Sequence, residues 1–147
     1  MIYDPVNKPS RYLQHPSKIE CIRITEHFNF NLGNSFKYLY RCTEKGYTLN
    51  DLRKSQWYLR RELELRTTNK SWFAWFSEDE NYNARFDGSV EVQAVLTFES
   101  RYSGWMNQAL ERICTAAVQK RGTLALVRAL DCVAKMIRIQ ESREVGK

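Results

Sequence analysis

The fold of this chain follows from one stretch, Gly33-Asn34-Ser35-Phe36-Lys37-Tyr38-Leu39-Tyr40-Arg41. Its polar residues recur three, four and seven positions apart, so they share one face of a helix. They are Asn34, Lys37, Tyr38 and Arg41. An amide, an ammonium, a phenol and a guanidinium are groups that hold a phosphate and an aromatic base. The stretch therefore predicts a helix with a ligand-binding face.

The same spacing recurs in a second predicted helix. Its members are a carboxylate, an ammonium, a hydroxyl and a phenol: Asp51, Lys54, Ser55 and Tyr58. Thr48 can cap this helix, and Asp51 is favourably placed near the helix N-terminus. Only a few residues around Gly46 join the two helices, so we expect an antiparallel hairpin. Its facing polar sides would enclose a net-positive cleft.

Further out, the pattern predicts a mainly α protein: a helical bundle with an extended N-terminal arm, a helical hairpin core and a second C-terminal helical pair. Three prolines favour an extended arm over residues 1–16. A capping box at residues 17–20 predicts a first helix that reaches about Phe28. The hairpin helices are predicted from about Leu32 to Thr43, and from Thr48 to about Arg66.

The chain divides at residues 1–66, 67–88 and 89–147. Residues 67–88 combine an aromatic cluster with an acidic run, and we interpret them as a linker whose aromatic anchor packs on the core or on a partner subunit. Residues 89–99 fit both a strand and a helix, and the shortage of other strand candidates favours a helix. An amphipathic helical pair follows, with its break at Gly122 and a polar tail from Glu141.

Charge is distributed unevenly along the 147 residues, whose net charge is +6. Residues 1–66 hold 12 Lys and Arg against 7 Asp and Glu, whereas residues 67–147 hold 11 against 10. The basic excess thus coincides with the predicted cleft and suits an anionic ligand. An ordinary basic surface, on which Lys and Arg stems lie along the helix, fits the same spacing.

Several classes of site lack their motifs. The sequence contains no Walker loop and no G-x-G-x-x-G, and its two histidines leave few options for a catalytic triad. None of the four cysteines forms a C-x-x-C pair, so zinc has little support and we expect buried thiols in a reducing cytosol. No stretch approaches the roughly 20 apolar residues of a membrane span, and residues 1–5 do not resemble a signal peptide.

Four ordered segments resemble the small tailed-phage family often called SaV-like. They are DPVNKPSRY (residues 4–12), IECI (19–22), LGNSFKYLYR (32–41) and DLRKSQWYL (51–59). The resemblance spans about residues 4–65 and does not cover residues 67–147. The family includes the podophage nucleotide kinase, a nucleoside monophosphate kinase without a Walker loop. The resemblance implies a helical nucleotide-handling protein made in the cytoplasm of an infected bacterium.

Position by position, the resemblance implies a set of ligand-binding residues. The matched positions are Pro5, Asn7, Pro9, Tyr12, Glu20, Gly33, Asn34, Lys37, Tyr38, Arg41, Lys45, Asp51, Lys54 and Tyr58. Two departures stand out: Arg11 replaces the family's usual histidine, and residues 42–45 replace a small-Gly-Lys-Lys sequence. A permanent cation at position 11 argues against an acid/base role there, and Glu44 lowers the positive charge beside the phosphate site.

The first functional hypothesis is phosphoryl transfer from ATP to a deoxynucleoside monophosphate, with Mg²⁺ as cofactor. Lys37, Arg41 and Lys54 would contact phosphate oxygens, with Asp51, Lys37 and Arg41 as the catalytic set. Asp51, together with Glu20, would hold the metal, or Asp51 would accept the hydroxyl proton. The remaining nucleotide-binding positions are Tyr12, Asn34, Tyr38, Lys45 and Tyr58.

Two alternatives stay open. The cleft could sequester a nucleotide or a nucleotide-derived immune signal, which would counter host defence without turnover. A basic module that binds nucleic acid ranks last, because its cations are confined to a short helix pair rather than spread along a track. We also expect a homo-oligomer, since the predicted helices leave apolar surface to cover.

Overall fold

The computed structural model describes Val6 and residues 17–42, 48–68, 104–119 and 122–146. Five helices cover most of them: α1 (Ile22–Thr25), α2 (Phe30–Arg41), α3 (Thr48–Thr67), α4 (Trp105–Val118) and α5 (Thr123–Val145). No strand occurs within these ranges. The predicted mainly α class is confirmed. The predicted arm over residues 1–16, the linker over residues 67–88 and the ambiguous residues 89–99 lie outside the described ranges, apart from Val6 and residues 67–68.

The α2–α3 hairpin was predicted closely. Helix α2 begins two residues earlier than expected, because the Asn29 side chain accepts a hydrogen bond from the Leu32 backbone N–H at 2.9 Å and so caps it. Helix α3 starts at Thr48 as predicted and ends at Thr67. The two helices pack against each other along their length.

The first helix was predicted wrongly. The expected capping box at residues 17–20 does not start it; instead the Ser17 Oγ accepts a hydrogen bond from the Ile19 N–H at 3.2 Å, and Lys18 has φ 59°. Helix α1 comprises only Ile22–Thr25. A short local bond to Ser17 has thus replaced a helical turn, as serine side chains commonly do.

Both helices of the C-terminal pair were predicted. Helix α4 begins after Gly104 and α5 after Gly122, and both glycines have positive φ. The polar residues from Glu141 onward continue α5 to Val145. The Arg53 guanidinium meets Glu141 at 3.0 Å, which ties this end of α5 to α3.

One hydrophobic core joins the hairpin to the C-terminal pair. Helix α3 lies between α2 on one side and α5 on the other, and α4 packs on both α5 and α2. The fully buried core members include Phe36, Leu52, Leu59, Met106, Ile113, Leu126 and Met136. Along the described ranges, no helix is long and apolar enough to cross a membrane.

A network of polar contacts around the buried Glu62 joins three helices, and helical spacing did not predict it. Glu62 of α3 is 1% exposed and accepts a hydrogen bond from the Asn29 side chain at 2.7 Å. Its carboxylate lies 3.9 Å from the Arg66 Nε, and the Arg66 Nη1 donates to the Ala116 carbonyl at 2.9 Å. The start of α2 and the end of α4 are therefore both held by α3.

The cysteines of the described residues form no disulfide. Cys21, Cys42 and Cys132 are buried and Cys114 is half-buried. Burial raises the pKa of Cys21 to about 12, although a hydrogen bond with Thr25 acts to lower it. Burial therefore keeps the Cys21 thiol neutral at physiological pH.

Candidate functional site

The predicted polar faces of α2 and α3 meet at the open end of the hairpin. At its centre the Arg41 Nε lies 3.3 Å from the Asp51 Oδ2. Arg41 is in the last turn of α2 and Asp51 in the first turn of α3, so each charge suits its helix terminus. The antiparallel hairpin predicted from the short connection brings these two turns together.

Asp51 is an almost fully buried carboxyl group. Its side chain is 3% exposed, and burial raises the pKa of the carboxyl above its ordinary value. The charges of Arg41, Lys54 and Lys37 each act to lower that pKa. Three cations therefore converge on one carboxylate, which leaves the cluster with a net positive charge.

Tyr38 carries the same three cations around its ring. The Lys37 Nζ lies 4.6 Å from the ring centroid, the Lys54 Nζ 5.3 Å and the Arg41 Cζ 5.7 Å. All three distances are within the range of cation–π attraction. We call Lys37, Arg41 and Lys54, with Asp51 and Tyr38, the cation cluster.

Tyr58 of α3 extends the cation cluster across the hairpin. Its ring stacks on Tyr38 with centroids 6.0 Å apart and an interplanar angle of 14°. Both tyrosines are half-buried, which places part of each ring at the surface. Tyr58 therefore faces α2 as predicted, and it lies beside the polar face of α2 rather than deep in the core.

Asn34 supports Lys37 in the described conformation. Its Nδ2 donates to the Phe30 carbonyl at 2.8 Å, and its Oδ1 accepts from the Lys37 Nζ at 3.0 Å. The predicted contact of Asn34 with a nucleotide would require these bonds to rearrange. In this conformation Asn34 fixes the ammonium that lies over Tyr38.

Ser55 does not belong to the cleft, and its assignment to the polar face was wrong. It is fully buried, and its Oγ lies 2.7 Å from the Ser35 Oγ at the contact between α2 and α3. The Ser35 hydroxyl also lies 3.3 Å from the Ser55 carbonyl. Two small residues here let the helices approach closely, which the helical spacing alone could not reveal.

Other predicted site residues are less well placed by the structure. Tyr12 and Lys45 lie outside the described residues. Glu20 lies near Tyr40, where its charge adds to the burial that raises the pKa of that phenol to about 12. In residues 17–42, 48–68, 104–119 and 122–146, no three His, Cys, Asp or Glu side chains form a group that could hold a metal. A metal site shared by Asp51 and Glu20 stays a prediction.

Two residues next to the site were missed. Phe30 is 73% exposed and Trp57 is 60% exposed, and both pack edge-to-face with the Tyr58 ring. The signal was available, because Phe30 precedes Asn34 by four residues and Trp57 follows Lys54 by three. Phe30 therefore lies on the same face of α2 as Asn34, and Trp57 lies on the same side of α3 as Lys54.

The part of the chain that contains the cation cluster matches a family model. A family model described as a protein of unknown function, DUF3310, matches residues 6–60. That range contains α1, α2 and most of α3, with every member of the cation cluster. It nearly coincides with the resemblance described above, but its description assigns no activity. Neither the curated proteins nor the solved structures provided a match.

Proposed function

We propose that the α2–α3 cleft binds a nucleotide and that the protein transfers a phosphoryl group from ATP to a deoxynucleoside monophosphate. The observation that carries the proposal is the cation cluster, in which three cations surround one tyrosine ring at the surface. Phosphoryl transfer asks a protein chiefly for positioning and charge neutralisation. Lys37, Arg41 and Lys54 supply that charge.

Arg41 is suited to hold a phosphate while it is paired with Asp51. The contact with Asp51 uses the Nε, and the guanidinium fork has two further nitrogens that can donate to phosphate oxygens. Asp51 keeps the fork oriented, and Lys54 reaches the same region from α3. Both helices of the hairpin thus contribute cations to the proposed phosphate site, Lys37 and Arg41 from α2 and Lys54 from α3.

The cation cluster offers a magnesium ion one protein ligand, the Asp51 carboxylate. Mg²⁺ is commonly held by one or two carboxylates together with substrate phosphates, and Asp51 is the carboxylate of the cation cluster. When bound, the ion would neutralise charge on the transferring phosphates.

A second function is favoured by the burial of Asp51. A carboxylate that is 2% exposed and paired with Arg41 is poorly placed to take a proton from a substrate. A protein that only sequesters a nucleotide, or a nucleotide-derived defence signal, needs the cations and tyrosines but no free carboxylate. Binding without turnover is therefore our second proposal.

A turnover assay distinguishes the two. Purified protein, Mg²⁺ and ATP are incubated with each deoxynucleoside monophosphate, and the products are separated by chromatography. The kinase proposal expects ADP and a deoxynucleoside diphosphate, both lost in Lys37→Ala and Asp51→Asn but retained in Arg128→Ala, which removes an exposed cation from α5. Calorimetric binding without product would support sequestration, and neither product nor binding would refute both proposals.

A further inference from the structure

Phe30 and Trp57 are exposed in a protein that buries its other phenylalanines within the described ranges. Phe30 is 73% exposed and Trp57 60%, whereas Phe28 and Phe36 are buried. Both exposed rings pack against Tyr58, with centroids 5.9 and 5.0 Å from its ring. Both pairs have edge-to-face geometry, so neither exposed ring is covered by stacking on Tyr58.

The hairpin arranges these rings and the cations in a line. Because α2 and α3 are antiparallel, the end of α2 lies beside the start of α3, where Arg41 meets Asp51. The start of α2 lies beside the later turns of α3, where Phe30 meets Tyr58. The contacts therefore run from a cationic end at Arg41 to an uncharged aromatic end at Phe30, with the stacked Tyr38–Tyr58 pair between them.

A nucleotide has the same order of charge along its length. Its phosphates are anionic and its base is flat and uncharged, with a face that aromatic side chains stack on whatever the base identity. The aliphatic residues Leu124 and Val127 are also exposed, but they lie on α5, away from the cation cluster. Charge complementarity thus selects a base as the occupant of the Phe30–Trp57 surface.

We infer that Phe30 and Trp57 form the base-stacking surface of the site, so that the ligand is a nucleoside phosphate aligned with its phosphates on the cation cluster and its base on Trp57. This inference rests on the proposed nucleotide-binding function. It adds the direction in which the nucleotide lies, and it assigns base recognition to residues outside the predicted set. It also makes the base a requirement for tight binding, which excludes sugar phosphates as equivalent ligands.

Calorimetry with two kinds of probe tests the inference. The four deoxynucleoside monophosphates, and 2-deoxyribose 5-phosphate as a probe without a base, are titrated into the full chain and into Trp57→Ala, Trp57→Phe, Phe30→Ala and Leu124→Ala. We expect Trp57→Ala to weaken nucleotide binding about tenfold, as loss of one stacking partner does. Trp57→Phe should retain most of the affinity, and Leu124→Ala should match the wild type. Binding of 2-deoxyribose 5-phosphate should be weak and unchanged in every variant.

The contrary results are distinct from one another. If the wild type binds no nucleotide, the proposed function itself fails. If the wild type binds nucleotides and Trp57→Ala binds them equally well, only the stacking inference is overturned. It is also overturned if Trp57→Ala weakens the base-free probe to the same degree, or if light scattering shows a dimer that Trp57→Ala dissociates while nucleotide affinity is unchanged.

Discussion

The ion pair between Arg41 and Asp51 is asymmetric in its exposure to water. The Nε and Oδ2 atoms are 3.3 Å apart, yet the Arg41 side chain is 27% exposed and that of Asp51 only 3%. A charge that loses its partner is destabilising in proportion to how well it is shielded from solvent. The two halves of this pair should therefore respond differently to substitution.

Replacing Arg41 should cost more stability than replacing Asp51. Arg41→Ala leaves a buried carboxylate without its partner, and we expect a loss of about 2 kcal/mol in the free energy of unfolding. Asp51→Asn leaves a guanidinium that reaches water and an amide oxygen that can still accept its N–H, so the loss should be about 0.5 kcal/mol. Urea denaturation of both variants measures the difference, and equal losses would contradict the asymmetry.

The cost of Arg41→Ala should also depend on pH. Burial already raises the pKa of Asp51 above its ordinary value of 3.8, and Arg41 is the charge that lowers it most. A carboxyl with a raised pKa contributes stability that is fully present below 3.8 and is lost as pH rises through the folded-state pKa. Without Arg41 that pKa rises further. The stability difference from wild type should be smaller at about pH 4.5 than at pH 8, and a difference that grows on acidification would contradict this assignment.

Lys37 and Lys54 should affect binding but not folding. Neither ammonium is buried, so Lys37→Ala and Lys54→Ala should leave the free energy of unfolding within about 0.5 kcal/mol of wild type. Each should weaken nucleotide binding about tenfold at low salt, with a smaller effect at high salt, because screening reduces charge–charge attraction. Arg128→Ala on α5 is the charge-matched control. Equal effects of all three substitutions would indicate only a general influence of net charge.

Glu62 should be among the most sensitive polar positions. Glu62→Ala removes the acceptor of the Asn29 amide and the carboxylate beside the half-buried Arg66, whose pKa burial lowers. We expect a loss of about 3 kcal/mol, since the Asn29 amide loses an acceptor and the Arg66 guanidinium, which keeps its bond to the Ala116 carbonyl, loses its ion-pair partner. Glu64→Ala is the control on the same helix, because its exposed pair with Arg61 should contribute about 0.5 kcal/mol or less. Similar losses in the two variants would refute a structural role for the polar contacts around Glu62.

Helical spacing was enough to predict the hairpin and to bring the members of the cation cluster to facing helices. Arg41 and Asp51 were expected on facing helices because the connection between α2 and α3 is short, and the structure brings them together. Lys37, Tyr38, Lys54 and Tyr58 followed from the same periodicity and do form one cluster. Such local patterns repeat every turn and can be read without tertiary information.

The errors occurred where tertiary contact overrides local pattern. Ser55 has the spacing of a cleft residue, but its contact with Ser35 depends on how closely the two helices approach. The polar contacts from Asn29 through Glu62 and Arg66 to the Ala116 carbonyl join three helices, and no sequence window contains them. The start of α1 was predicted wrongly for a local reason, because the Ser17 hydroxyl accepts a hydrogen bond from the Ile19 N–H two residues away.

Three glycines allow backbone strain to be separated from steric exclusion. Gly122 has φ 57°, and a Cβ there would lie 2.8 Å from the Arg66 Nη1 and 3.0 Å from the Ala116 Cα. Gly104 has φ 85° with open space around it, and Gly33 has an ordinary helical conformation in which a Cβ would lie 3.5 Å from the Thr25 carbonyl oxygen. A side chain at Gly122 would therefore meet both backbone strain and a steric clash. At Gly104 it would meet strain alone, and at Gly33 neither.

The alanine variants should therefore fall in a fixed order. Gly104→Ala should lose about 1 kcal/mol from its left-handed backbone conformation. Gly122→Ala should lose about 3 kcal/mol, because the backbone of Ala116 cannot move aside and Arg66 is displaced from the end of α4. Gly33→Ala should gain about 0.5 kcal/mol from its higher helix propensity. Thermal and urea unfolding of the three variants measure the order. A Gly122→Ala loss no larger than that of Gly104→Ala would show that Arg66 and Ala116 do not pack against this turn as described.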